Sequence, residues 1–169
     1  MRDSLPAIVD VLIIIDAETL LADYPAGTAA RPTSVDQPLI RLVVRQANGV
    51  FGEGTKELKL TAETEDVIRW RETTTSLDGR YTGMLYKFFA LRGAALISPP
   101  QPLVATVRTP LPDTTDPLHP TSQTIASYFW TTTVLSPGET TYAFQFAVMD
   151  RAGHALGYFS WDPFIKITT

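Results

Sequence analysis

About nine segments of this chain combine strand-forming residues with turn residues at their ends, and no other feature constrains the fold as strongly. They are rich in Val, Ile, Thr and aromatic side chains, which suit a pleated, half-buried strand. The segments are Ile8–Ile15, Leu39–Arg45, Glu57–Ala62, Asp66–Thr73, Tyr81–Leu91, Pro102–Thr109, Ile125–Leu135, Thr141–Asp150 and Leu156–Ile167. The separators include Asn48-Gly49, Asp78-Gly79, Arg92-Gly93, Pro137-Gly138 and Ala152-Gly153, which suit hairpin turns. Consecutive antiparallel pairing is therefore predicted.

Only the segment from Asp16 to Tyr24 has the pattern of a helix. Asp16 can cap its start, Glu18 lies in the first turn, and Pro25 with Gly27 ends it. One short helix among about nine strands predicts an all-β fold, an antiparallel and jelly-roll-like β-sandwich. A chain of 169 residues fits a single domain over residues 1–169.

The alternation of residue types predicts which side of each strand is buried. In Thr141–Asp150, the apolar residues Tyr142, Phe144, Phe146 and Val148 share one face. We therefore expect Phe144 and Phe146 to point into the same core.

A proline-rich stretch over Thr109–Thr124 precedes the aromatic run Tyr128-Phe-Trp130 and predicts a long loop that leads into a strand. Within it, Asp113, Asp116 and His119 could meet a cation or could form turns with their own backbone, and the turns are favoured. Neither His119 nor His154 has a second histidine at ligand spacing, so no metal site is predicted.

Composition excludes several classes of function. The chain has no cysteine, which rules out thiolate catalysis, disulfides and Cys-ligated metals. Its formal net charge is −4 and its Lys and Arg residues are scattered, so no nucleic-acid partner is predicted. The N-terminus lacks a signal-peptide pattern, and the apolar run Ile8–Ile15 is too short to cross a bilayer. No catalytic residues and no cofactor are predicted, because no nucleophile elbow or phosphate-binding glycine loop is present.

Three tryptophans are the candidate ligand-binding residues. Trp70 and Glu72 share a strand face with Asp66, and an indole beside carboxylates can hold a sugar. Trp130 and the Trp161-Asp162 pair are the other candidates for such a platform. The alternative is that these indoles pack in the core while Arg69 and Arg71 pair with acidic neighbours across the sheet; this alternative is favoured.

Several separated motifs resemble the AidA/PixA inclusion-body protein family of bacteria. They span residues 9–19, 65–72, 109–113, 116–124, 128–130 and 161–163, in that order along nearly the whole chain. The resemblance implies a cytoplasmic bacterial protein, expressed at high cell density under quorum control in host-associated or soil bacteria, and in some members packed into intracellular inclusions. It implies no catalytic residues. Inclusion-forming members are described as methionine-rich, but this chain has three Met, which argues against methionine storage.

Three classes of function follow. The first is a non-enzymatic structural protein that self-associates through sheet edges or an apolar face, since 44% of its residues are hydrophobic. A symmetric dimer is its simplest form, and the alternative is a monomer whose edges are covered by the proline-rich loop and the Ala22–Pro38 connection. The second is a small-molecule or carbohydrate-binding module, and the third is an enzyme. The first is the prediction.

Overall fold

The computed structural model describes residues 5–35, 38–52, 54–55, 58–161 and 166–168. Its strands are β1 (Ile8–Ile15), β2 (Thr33–Val35), β3 (Ile40–Val44), β4 (Gly49–Phe51), β5 (Lys59–Thr61), β6 (Val67–Thr74), β7 (Thr82–Arg92), β8 (Gln101–Leu111), β9 (Thr121–Thr133), β10 (Glu139–Met149), β11 (Ala155–Trp161) and β12 (Lys166–Thr168). Within the described residues, helix α1 (Ala17–Asp23) is the one α-helix, and a 3-10 turn covers Ala94–Leu96.

Helix α1 begins and ends where its capping residues predict. The Asp16 side chain accepts a hydrogen bond from the Thr19 backbone N–H at 3.2 Å, which satisfies one donor of the first turn. At the other end, the Tyr24 N–H donates to the Leu20 carbonyl and the chain becomes extended at Tyr24. The predicted helix is confirmed.

A five-stranded sheet has the order β3-β1-β6-β9-β8 among the described residues. β1 lies inside it, antiparallel to β3 and parallel to β6. Its odd-numbered residues Val9, Val11, Ile13 and Ile15 are all buried, as the two-residue period of a strand requires. Each such aliphatic side chain stabilises the fold by about 1.5–3 kcal/mol when fully buried.

The second sheet is built around β10, which pairs antiparallel with β7 and β11. β2 joins it beside β11, and β12, β5 and β4 continue it from the other end of β10. Phe144 and Phe146 are both buried in one core, which confirms their predicted face.

The structure corrects the predicted pairing. Both sheets are mixed, because β1 pairs parallel with β6, β2 with β11, and β5 with β12. Parallel neighbours need a long connection, and residues 16–66 provide one between β1 and β6. The short strands β2 and β4 were not predicted, since three residues are too few for a visible alternation. The mostly β fold is confirmed, whereas the jelly-roll arrangement stays a prediction.

Buried side chains from the two sheets meet in a single hydrophobic core. Trp70 of the five-stranded sheet contacts Phe88 and Tyr142 of the other sheet, with ring centroids 4.8 and 5.0 Å apart. At these residues the inner faces of the two sheets cover each other.

Strands β8 and β9 form a long hairpin that extends past its neighbour. β9 pairs with β6 only from Thr133 to Trp130, while β8 and β9 stay paired as far as Leu111 and Thr121. The proline-rich region therefore contains more strand than predicted, and its loop is confined to residues 112–120. Pro110 fits within β8 because β8 is an edge strand of its sheet.

Candidate functional site

The three tryptophans predicted as a sugar platform lie inside the protein. Trp70 is 0% exposed, Trp161 1% and Trp130 7%. A sugar stacks on an open indole face, so the platform prediction is wrong for these residues in this structure. The predicted alternative, packing in the core, is what the burial supports.

The indoles belong to one aromatic cluster in which Phe88 is central. Phe88 lies 4.8 Å from Trp70, 5.6 Å from Trp130 and 5.6 Å from Phe144, measured between ring centroids. Trp161 contacts Phe144 edge-on at 5.2 Å. Tilted and edge-on pairs of this kind add about 0.5–1.5 kcal/mol each beyond the area they bury. The aromatic concentrations of the sequence therefore serve stability.

Glu72 lies on the same inner face as Trp70, at the far end of β6. Burial raises the pKa of its carboxyl to about 7, while the backbone N–H groups of Glu72 and Leu85 and the charge of Arg71 act in the opposite direction. Its Oε2 atom is buried and has no hydrogen-bond partner among the described residues. The carboxyl therefore titrates near neutral pH, but no open indole lies beside it.

The Leu85 carbonyl near Glu72 accepts two side-chain hydrogen bonds across the core. The Tyr128 hydroxyl donates to it at 2.7 Å and the Trp130 Nε1 donates at 3.1 Å. Burial raises the pKa of Tyr128, and the carboxyl of Glu72 raises it further. These bonds tie β9 to β7 and hold Trp130 in place.

The remaining predicted residues stabilise the fold through hydrogen bonds and ion pairs, or lie outside the described residues. Asp66 accepts hydrogen bonds from the backbone N–H groups of Ala7 and Glu63, which anchors the start of β6. Asp162 lies outside the described residues. The predicted pairing with an acidic neighbour is confirmed for Arg69, which binds Asp10 on β1. It is wrong for Arg71, which has no carboxylate within ion-pair distance among the described residues.

The acidic residues of the proline-rich loop form local turns. The Asp113 carboxylate accepts from both the N–H and the hydroxyl of Thr115, which lowers the pKa of Asp113. Asp116 contacts His119 Nδ1 at 2.8 Å. The described residues contain no group of three His, Asp or Glu side chains placed to hold a metal ion. The interpretation of this loop as turns is supported.

A cleft of about 680 Å³ lies on the outer face of the five-stranded sheet. Its floor comes from β1, β3 and β6, where Asp10, Arg45, Arg69 and Arg71 alternate with the buried residues of the same strands. Its wall is the β8–β9 hairpin, which has separated from β6 at this point. Sequence reasoning missed this site. The available signal was the row of arginines on the polar side of β6 and the apolar side chains of a projecting edge hairpin.

The sequence matches a known protein family over nearly its whole length. A family model described as PixA, inclusion body protein, matches residues 7–167. The chain belongs to the PixA inclusion body protein family. The match covers almost all of the sequence, so the family assignment applies to both sheets. Membership predicted from the separated motifs is confirmed.

A solved PixA structure has the same fold. The crystal structure of an inclusion body protein from Burkholderia cenocepacia J2315 superposes with a TM-score of 0.79, covering 100% of this chain and 99% of that one. The two sequences are 20% identical, so the likeness is one of fold. No curated protein matches the chain. In the part of the chain that the structure describes, no helix is long and apolar enough to span a membrane.

Proposed function

We propose that this PixA-family protein is non-enzymatic and self-associates by pairing edge to edge through β8. The observation that carries the proposal is the open edge of that strand. β8 runs over 11 residues, and among the described residues its one strand partner is β9. Nearly all of its residues are exposed, so within the described chain neither the proline-rich loop nor the 22–38 connection covers it. An open edge of this length is a template for another strand.

The two prolines of β8 indicate which backbone groups face the open edge. Pro102 lies opposite Trp130 and Pro110 opposite Ser122, in an uninterrupted antiparallel register. Residues in such a ladder alternate between pairs that exchange two N–H···O bonds and pairs that exchange none. Because proline has no N–H, both prolines belong to the second kind. Thr106 is separated from each proline by an even number of residues along the strand, so it belongs to the same kind of pair. Its N–H and C=O groups therefore point away from β9.

Val104 and Arg108 are even-numbered like Thr106, so their N–H and C=O groups also face the open edge. The edge is therefore complementary to a second copy of itself. Pro102 and Pro110 each lie four residues from Thr106. An antiparallel partner centred on Thr106 would place Thr106 opposite Thr106, and Val104 opposite Arg108 of the second copy. No two arginines would lie opposite each other, and the prolines would end the bonding at both sides. Such a two-fold contact closes into a dimer.

The biological setting that the resemblance implies is part of this proposal. A cytoplasmic protein made at high cell density under quorum control, in a host-associated bacterium, reaches concentrations at which weak edge pairing becomes populated. Further contacts between dimers would then build an inclusion. The description inclusion body protein, carried by the matching family and by the solved structure, is what supports the packing into inclusions.

The test is a proline substitution at the centre of the edge. Thr106→Pro removes the N–H that the second copy needs, yet it keeps the β8–β9 ladder, as Pro102 and Pro110 do. Thr106→Val is the matched control, because it alters the side chain and keeps the N–H. Sedimentation velocity over a concentration series should show the parent and the valine variant above the 18.6 kDa chain mass. The proline variant should stay at the chain mass with an unchanged circular dichroism spectrum.

Two results would contradict the proposal. One is a parent that sediments at the chain mass over the whole concentration series. The other is a Thr106→Pro variant that is folded and associates as strongly as the parent, which would place the contact elsewhere on the surface.

A further inference from the structure

The outer cleft has the two kinds of wall that a small-molecule site needs. Its volume of about 680 Å³ lies within the range of ligand pockets, which is roughly 300–1,000 Å³. The floor carries the charged side chains together with Leu12 and Val43, and the β8–β9 hairpin forms a largely apolar wall. The side chains of Ala105, Val107 and Ile125 belong to this wall.

The charge of the floor is not balanced. Arg69 binds Asp10 through two hydrogen bonds, at 2.6 and 2.8 Å, so this pair is neutral as a unit. Arg45 and Arg71 also line the cleft, and neither has a carboxylate within ion-pair distance among the described residues. Asp10 is the one acidic side chain of the described lining. The described lining therefore has an excess of two positive charges.

The Arg69 guanidinium is held by contacts on two sides. Besides the Asp10 carboxylate, it lies over the Phe129 ring at 5.3 Å from the ring centroid. This arrangement brings a charged floor and an aromatic wall into contact at one end of the cleft. A ligand in the cleft would meet fixed apolar surface on one side and free guanidinium groups on the other.

The apolar wall is exposed to solvent as it stands. Val107 and Ile125 are 39% and 38% exposed, although both face the interior of the cleft. Exposed apolar side chains gathered in a concave site are typical of a binding surface. They favour a ligand with an apolar body over a fully hydrated one such as a free sugar.

We propose that this cleft binds a small amphipathic anion, with an apolar body against the hairpin and a carboxylate, phosphate or sulfonate head on Arg45 and Arg71. Guanidinium groups donate paired hydrogen bonds to such heads. The site is separate from the β8 edge of the proposed dimer, because the cleft is lined by the odd-numbered side chains of β8 whereas the edge is formed by backbone groups.

The probe for the test is anilinonaphthalene sulfonate, which joins an apolar ring system to one anionic group. Phenylnaphthylamine, which has the same rings without the sulfonate, is the matched neutral probe. We expect the native protein to bind the sulfonate probe with enhanced fluorescence, and Arg45→Gln and Arg71→Gln each to weaken that binding about five- to tenfold. Binding of the neutral probe should change little in either variant.

Two further variants locate the site. Arg41→Gln is the control for charge alone. Arg41 is exposed on β3, four residues before Arg45, and is not part of the cleft lining. It should bind the sulfonate probe like the parent. Ile125→Ser alters the apolar wall and should weaken both probes. Circular dichroism melting curves of each variant verify that the fold is kept.

The proposal is overturned if the native protein does not bind the sulfonate probe. It is also overturned if Arg41→Gln weakens binding as much as Arg71→Gln, or if the Arg45→Gln/Arg71→Gln double variant binds like the parent. Repeating the titration on Thr106→Pro separates the two proposals, because that substitution affects the strand edge and leaves the side chains of the cleft in place.

Discussion

The two faces of the five-stranded sheet are formed by alternate residues of the same strands, yet they have opposite roles. On β6, Ile68 and Trp70 are both 0% exposed against the second sheet, while the alternate residues Arg69 and Arg71 face the open cleft. The inner face is a closed aromatic core, and the outer face is an open cleft whose described lining has an excess of positive charge. The aromatic residues of this sequence therefore stabilise the fold, and the residues proposed to bind a ligand are the polar ones that alternate with them.

The largest difference between the faces is expected in the free energy of unfolding of two matched truncations on β6. Trp70→Ala should lower the free energy of unfolding by roughly 3–5 kcal/mol, because it leaves a cavity beside Phe88 and Tyr142. Arg71→Ala, the next residue, should change it by about 0.5 kcal/mol or less, since its side chain is exposed. Urea unfolding followed by circular dichroism measures both. Equal effects at the two positions would refute the division between the faces.

A smaller effect concerns the one ionisable group of the inner face of β6 that titrates near neutral pH. The pKa of Glu72 is about 7 in the folded protein, above its ordinary value of 4.5, because burial disfavours the carboxylate. Between these values the folded chain holds a proton that the unfolded chain releases. The contribution of Glu72 to stability is therefore present in full below pH 4.5 and is lost as the pH rises through about 7.

The variant that isolates this effect is Glu72→Gln, which stays neutral at all pH values. At pH of about 8 it should be more stable than the parent by on the order of 2 kcal/mol, and the gain should shrink toward pH of about 5. Glu65→Gln, which removes a carboxylate at an exposed position, is the matched control. Thermal melts between these two pH values measure the difference. A gain that does not depend on pH would show that charge burial is not its cause.

The smallest expected change in stability lies on the outer face, at the ion pair of the cleft floor. Asp10→Asn should destabilise the fold by about 1 kcal/mol or less, and less still in high salt, because the pair is partly exposed. The same substitution frees Arg69 and adds positive charge to the cleft. It should therefore tighten binding of anilinonaphthalene sulfonate by about threefold. Weaker binding in this variant would mean that Asp10 positions Arg69 for the ligand.

Much of the local structure could be predicted. The bounds of β1 follow from its run of apolar residues, and the start of α1 follows from the Asp16 cap. The buried face of β10 follows from the alternation around Phe144 and Phe146. These features depend on neighbouring residues in the chain, so periodicity and capping rules can predict them.

The candidate site could not be predicted in the same way. Arg45 directly follows β3, Arg71 lies on β6 and Ile125 in the hairpin. They line one cleft because β1 pairs with β3 on one side and with β6 on the other. Parallel pairing across a long connection has no local signature. Beyond Trp130 the hairpin leaves β6, and only that separation opens the cleft.

The amino-acid sequence is sufficient to predict that the chain is mostly β, where most of its strands and its helix lie, which face of β10 is buried, and that it resembles the inclusion-body family. Those properties follow from residue spacing, because a strand repeats every two residues wherever it is placed. The tertiary structure alone decided the rest. It buried the tryptophans that could have bound a sugar, since the most apolar faces of two sheets gain most by covering each other. It also left the arginines of the opposite face beside a free hairpin, where an anion can reach them.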